Sequence, residues 1–139
     1  MSLQDTKKLI VYCDGGSRGN PGPSGAGVVV CNSQGKVIKQ YAKFLGRATN
    51  NQAEYQALIL GLEEAKKLKA REVDCYLDSK LAVEQLNRRY KIKNRGLGLL
   101  FIKVWNLGQS FKKVNFAYIP REGNKEADKL ASQAILLRR

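Results

Sequence analysis

The sequence predicts an α/β domain built on a mixed sheet. Two observations predict it. Three apolar, strand-like runs fall within the first 45 residues and are joined by short turns, and two more strands follow among helical stripes. Leu9–Cys13 reads as a buried strand ending at Asp14. Gly15 to Pro23 is a glycine- and proline-rich loop, and Gly27–Cys31 is a second strand. Asn32–Gly35 is a turn, and Lys36–Leu45 alternates as a third strand, so the first three form an antiparallel meander. Asn51–Leu68 has helical periodicity, with Ala57, Leu58, Gly61, Leu62, Ala65 and Leu68 on one stripe. Val73–Leu77 is a short strand, and Ser79–Tyr90 is a helix with Ala82, Val83 and Leu86 on its apolar side. Lys91–Gly98 is a basic connection, and Leu99–Leu107 is helical, with Trp105 expected in the core beside Phe101 and Val104. Val114–Ile119 is a strand stopped by Pro120, and Asn124–Leu137 is a last helix turning Ala127, Leu130, Ala131 and Ala134 inward. No repeat, low-complexity tract or second domain stands out, so residues 1–139 are expected to form a single domain.

Composition narrows the function. Hydrophobic residues make up 43% and charged residues 27%, an ordinary globular balance. No apolar run reaches the length of a bilayer span, and Met1–Lys8 lacks the apolar stretch of a secretion signal. A soluble cytoplasmic protein with no membrane partner is the expectation. Lysine and arginine total 25 against 12 acids, a net charge of +13, which points to a polyanionic partner and first to nucleic acid. Cys13, Cys31 and Cys75 are odd in number and far apart, so buried free thiols are expected rather than a disulfide framework or zinc site. Histidine is absent, which excludes histidine-based nucleophile activation and histidine metal sites. Any metal is then held by oxygen, which favours magnesium or manganese.

The acids must be read together. Asp14 precedes Gly15, a common turn pair, but it closes a strand on the face shared with Ile10 and Tyr12. Glu54 could act in a capping box with Asn51. Yet Leu58, Gly61, Leu62 and Ala65 lie at i+4, i+7, i+8 and i+11 from it, which places its carboxylate on the buried stripe. A buried carboxylate is costly unless a cation pairs with it. Asp78 could be a helix N-cap, and it also lies beyond the carboxyl end of a strand, where open α/β sheets gather ligands. Asp128 shares a helical setting with Ala131 and Ile135, bordering the buried stripe; a solvent-facing acid is its alternative. Two strand-end acids and two helix acids turned toward the sheet form an oxygen-rich pocket suited to divalent metal. Such clusters, holding two ions roughly 3.5–4 Å apart, promote in-line phosphoryl displacement.

Four segments carry a family resemblance: Asp14 to Pro23 (DGGSRGNPGP), Thr49 to Tyr55 (TNNQAEY), Leu77 to Ser79 (LDS) and Asn124 to Ala131 (NKEADKLA). In order and approximate spacing they resemble the type I ribonuclease H family over nearly the whole chain. The resemblance implies a ribonuclease H-like fold, with a five-stranded mixed sheet (three antiparallel strands, then parallel strands) flanked by helices. It implies a catalytic domain that hydrolyses the RNA strand of an RNA–DNA hybrid, leaving 5′-phosphate and 3′-hydroxyl ends. Two Mg2+ ions, with Mn2+ as a substitute, would be held by Asp14, Glu54, Asp78 and Asp128. The resemblance places Asn20, Asn50 and Asn51 at the hybrid's minor groove, where 2′-hydroxyls distinguish RNA from DNA. It places Arg47, Thr49 and Asn94 on a phosphate of the DNA strand, and turn and cap duties are compatible with these roles.

The departures are specific. Many members carry a histidine on a glycine-rich loop before the last helix; here Ile119–Asn124 is shorter and has none. That bears on rate rather than on the reaction, and Glu122 is expected to take part of the role in proton transfer or product release. The basic helical protrusion of some bacterial members has no room in Lys91–Gly98. The family's aromatic platform has no clear match: Leu81 stands near one such position, and Tyr90 is either a substitute or a half-buried tyrosine. Three rival readings remain: a non-catalytic hybrid- or duplex-binding module on the same fold, a nuclease that also cuts double-stranded RNA, and a strand-transfer or junction-cutting enzyme. The clustered acids argue against the first, and the Gly-Asn-Pro-Gly and Thr-Asn-Asn segments against the third. Kinases and dinucleotide enzymes are excluded because neither phosphate-loop pattern occurs. Nothing marks an oligomer interface, so a monomer is the default.

Overall fold

The computed structural model describes residues 7–138. The element order is β1 (Lys8–Ser17), β2 (Gly22–Asn32), β3 (Val37–Ala48), α1 (Asn50–Lys67), β4 (Glu72–Leu77), α2 (Lys80–Leu86), α3 (Arg95–Gly108), β5 (Lys113–Tyr118), a 3-10 turn (Arg121–Asn124) and α4 (Lys125–Leu137). The five strands form one sheet in the order β3-β2-β1-β4-β5. β1, β2 and β3 pair antiparallel, whereas β4 pairs parallel with β1 and β5 with β4. This is the predicted mixed sheet, meander first and parallel strands after it.

Alternation along the strands separates the faces. Leu9, Val11 and Cys13 on β1, with Val28 and Val30 on β2, are fully buried in the larger core beneath α1. The residues between them, Ile10, Tyr12, Val29 and Cys31, pack on the opposite face with Ala127 and Leu130 of α4. Helix α4 rests almost directly on β2. A Cβ at Gly27 would lie 2.0 Å from the Ala127 carbonyl oxygen, and one at Gly25 would lie 2.4 Å from that of Ala131. The alanine face of α4 and the glycines of β2 therefore fit one another.

Several boundaries differ from the sequence expectation. β1 continues through Ser17 and β2 begins at Gly22, because cross-strand pairing extends to Ser17 and Ser24. The glycine- and proline-rich loop expected over Gly15 to Pro23 is thereby reduced to a tight turn. Helix α2 stops at Leu86 instead of Tyr90: Asn87 caps it and its Nδ2 donates to the Phe116 carbonyl, 3.0 Å away, and Arg88 then adopts φ 62°. Helix α3 begins at Arg95 rather than Leu99, because the Asn94 side chain accepts from the Leu97 N–H. Trp105 is not a core residue. It is 48% exposed while Val104 is buried, and the Arg88 guanidinium lies 4.3 Å from its ring centroid. Tyr90 and Leu81 are also exposed. All three cysteines are buried free thiols, as expected. Residues 1–6 of the polar N-terminal segment lie outside the described residues, and no described helix is long and apolar enough to cross a membrane.

Candidate active site

The parallel register builds the centre. Cys13 of β1 lies opposite Leu77 of β4, so the next residues sit at the same level: Asp14, within β1 where its pairing with β4 stops, and Asp78, just past the end of β4. Adjacent strands are about 4.8 Å apart, which brings the two carboxylates together. Glu54 reaches the same edge from the first turns of α1, where its Oε1 accepts the Gly15 N–H at 3.1 Å. It does not act in the helix cap, because Thr49 and Gln52 form that capping box. Asp78 is not the cap of α2 either: Ser79 is, accepting from the Ala82 N–H. The alternative structural duties of both acids are thus filled by other residues.

One carboxylate oxygen each from Asp14, Glu54 and Asp78 lies within 4.8 Å of the others. Asp128, half-buried in the first turn of α4, is near enough to act on the Asp14 carboxyl, although its carboxylate is not among the three that converge. Asp14 and Glu54 are buried, and no ion pair among the described residues involves any of the four acids. The consequence is electrostatic. Burial, then the charge of Asp78, then the hydrogen bond and charge of Asp128 push the Asp14 carboxyl up to about 8, against a weak opposing pull from Arg121. Burial and the charges of Asp14 and Asp78 hold Glu54 well above the carboxylate range, with the Gly15 N–H opposing them. A domain of charge +13 that buries these acids with no ion pair to them among the described residues has left that place for another cation. An all-oxygen donor set fits a hard divalent ion.

Asn124 is a member of the site that sequence reasoning treated only as the start of a helix and part of a motif. Its Nδ2 donates to Asp78 Oδ2 at 3.0 Å and to the Cys13 carbonyl at 2.8 Å. Its Oδ1 is buried and has no partner in the structure. The available signal was its spacing of four residues, one helical turn, before Asp128.

The remaining candidates occupy the same end of the molecule in part. Asn20 Oδ1 accepts the Asn50 N–H at 3.0 Å, and Asn50 Oδ1 accepts the Ser17 N–H at 2.9 Å, so the β1–β2 turn is tied to the start of α1. Asn51 follows in the first turn of α1, half-buried. Thr49 caps α1, and the exposed Arg47 lies near the end of β3. Asn94 caps α3 beside α1: the space over Gly96 is bounded by Asn94 Oδ1 and Gln52 Nε2. Glu122 is exposed on the 3-10 turn and lines a cleft of about 280 Å³ with Tyr12, Val29 and Asn124; its carboxylate is not among the three that converge.

A three-strand meander, parallel strands and an acidic centre at the shared end of β1 and β4 define a ribonuclease H-like domain with a carboxylate site for divalent metal. Comparison with known proteins agrees. The family described as "Reverse transcriptase-like" matches residues 12–134. The chain is 44% identical over 129 residues to the bifunctional protein Rv2228c of Mycobacterium tuberculosis, covering 92% of this chain and 35% of that protein. It is 36% identical over 128 residues to ribonuclease HI of Halobacterium salinarum, covering 92% of this chain and 64% of that protein. The chain therefore spans about a third of the mycobacterial relative's length and under two thirds of the archaeal one's. Among solved structures, the RNase H1 of Halobacterium salinarum superposes with a TM-score of 0.90 at 35% identity, covering 92% of this chain and 97% of that one. LC11-RNase H1, solved in complex with an RNA/DNA hybrid, superposes with a TM-score of 0.88 at 39% identity, covering 94% and 98%. The chain belongs to the type I ribonuclease H family.

Proposed function

We propose that this chain is a metal-dependent endoribonuclease that hydrolyses the RNA strand of RNA–DNA hybrids, leaving 5′-phosphate and 3′-hydroxyl ends. The observation that carries the proposal is the meeting of Asp14, Glu54 and Asp78 within 4.8 Å, with no ion pair to any of them among the described residues, in a strongly basic domain. The relative LC11-RNase H1 was solved with such a hybrid. Asp14, Glu54, Asp78 and Asp128 would hold two Mg2+ ions, with Mn2+ as a substitute. When bound, such metal lowers the pKa of the attacking water and stabilises the leaving oxygen.

The chain's own residues supply orientation. The Gly15 N–H fixes one Glu54 oxygen, and Asn124 fixes one oxygen of Asp78. Asn20, Asn50 and Asn51 would meet the minor groove and its 2′-hydroxyls. Arg47, Thr49 and Asn94 would grip a phosphate of the DNA strand, and Glu122 would assist proton transfer or product release from the neighbouring turn. If Glu122→Gln leaves turnover unchanged, that last role is wrong. A cytoplasmic monomer completes the proposal, checked by cell fractionation and light scattering.

The decisive experiment is a cleavage gel with the RNA strand labelled in a hybrid, in an RNA duplex and alone. Each is run with magnesium, manganese or chelator, beside Asp78→Asn. Metal-dependent hybrid cutting that the variant loses supports the reading, and comparable duplex cutting widens its specificity. Tight hybrid binding without cutting under either metal overturns it in favour of a non-catalytic module.

A further inference from the structure

The +13 charge is not all placed near the carboxylates. At the opposite pole, where α1 ends and β4 begins, Lys66, Lys69, Arg71 and Lys112 line a pocket of about 410 Å³ together with Ala70 and Ser110. No acid lines it, and none of the four cations forms an ion pair among the described residues. The main chain holds them together: the Arg71 carbonyl accepts the Lys112 N–H at 2.8 Å, and the Lys69 N–H donates to the Lys66 carbonyl. Lys69 occupies a left-handed helix-terminating position, φ 60°, that glycine would fill with less strain. Lysines at a helix C-terminus offset its dipole. That accounts for Lys66, but not for Arg71 and Lys112, which arrive from other segments.

Twelve residues of α1 separate Glu54 from Lys66, a distance of about 18 Å along the helix. A duplex seated on the carboxylate edge is too stiff to turn back to this pole, since its persistence length is about 50 nm. A single strand is flexible enough. The pocket has no aromatic lining on which bases could stack, so its grip would be on the backbone and independent of sequence. We propose that this pole is a second nucleic-acid site, which takes the sugar–phosphate backbone of a single strand flanking the hybrid. The inference rests on nucleic acid being the partner, but not on cleavage.

The test is binding in the Asp78→Asn background, comparing a blunt hybrid with the same hybrid carrying a single-stranded DNA tail, over a salt titration. The tail is expected to raise affinity. Lys66→Ala, Lys69→Ala and Lys112→Ala together should abolish that gain and reduce the salt slope by roughly 2, at about 0.7 per phosphate contact on a single strand. Blunt-hybrid binding should hold. A control triple of exposed lysines outside this pocket, Lys36→Ala, Lys43→Ala and Lys103→Ala, should retain most of the gain. The inference is overturned if the wild-type pole gives no tail-dependent gain, or if the two triples lose it equally. Failure of the blunt hybrid to bind at all would instead refute the reading of the active site.

Discussion

Gly15 is the narrowest point in the assembly of the carboxylate edge. A Cβ there would lie 2.0 Å from the Ala53 carbonyl oxygen and 2.6 Å from the Glu54 nitrogen, both backbone atoms of α1, where about 3.0 Å is the practical limit. Gly15→Ala must therefore move the first turns of α1 away from β1 by about 1 Å, the difference between the two distances. The displaced turns carry Glu54, whose Oε1 is held by the Gly15 N–H. Overpacking of this kind costs about 1–3 kcal/mol. A misplacement of about 1 Å at a reacting centre lowers turnover roughly 100-fold. Gly16→Ala is the matched control, since nothing lies within 4 Å of its added Cβ. Urea denaturation and metal-dependent cleavage should be measured on both variants, with Gly16→Ala near wild type in each. Gly15→Ala with wild-type turnover, or equal losses in both variants, would refute the reasoning.

Asn124→Ala removes the donor to Asp78 Oδ2 and the Cys13 carbonyl. Losing these two bonds, one of them to a carboxylate, should cost about 1–3 kcal/mol in urea unfolding, with cleavage falling further than stability alone explains. Asp14 titrates at about 8 in the folded metal-free chain and near 3.9 unfolded. Its contribution to stability is therefore fully present below pH 4 and lost progressively as pH rises toward 8. Urea midpoints of the metal-free protein at pH 5 and 8, with Asp14→Asn as the comparison, should show a pH slope that the variant flattens. Adding magnesium at pH 8 should raise the wild-type midpoint more than that of Asp14→Asn; equal responses would count against metal binding at this centre. Lys69→Gly relieves a left-handed lysine and should raise stability by about 1 kcal/mol; an unchanged or lower midpoint would show the position to be unstrained.

The parts of the fold that follow from local pattern were legible in sequence. Leu9, Val11 and Cys13 alternate with partly covered residues, and the apolar stripe of α1 matches its buried face. The carboxylates were legible from their conjunction: Asp14 and Asp78 read as strand-end acids, and Glu54 and Asp128 as helix acids turned toward the sheet, although β1 runs on past Asp14 to Ser17. Properties set by tertiary contact were not. Trp105 was placed in the core because it adjoins Phe101 and Val104, but the helix setting turns it outward beneath Arg88. The end of α2 is fixed by an Asn87 bond to a strand 29 residues away, which no local propensity encodes. The part played by Asn124 likewise depends on partners on β1 and after β4, which its spacing from Asp128 does not identify.

The bond from Asn124 to the Cys13 carbonyl closes a loop of 111 residues. The centre it braces draws Asp14 from β1 and Asp128 from α4. During synthesis, the nascent chain exposes Asp14, Glu54 and Asp78 long before Asn124 and Asp128 have emerged. A growing chain is thus a set of dispersed acids on a basic polymer, with the carboxylate centre not yet assembled. The proposed nuclease activity would then require α4 to dock on β2, which makes cleavage a readout of that docking.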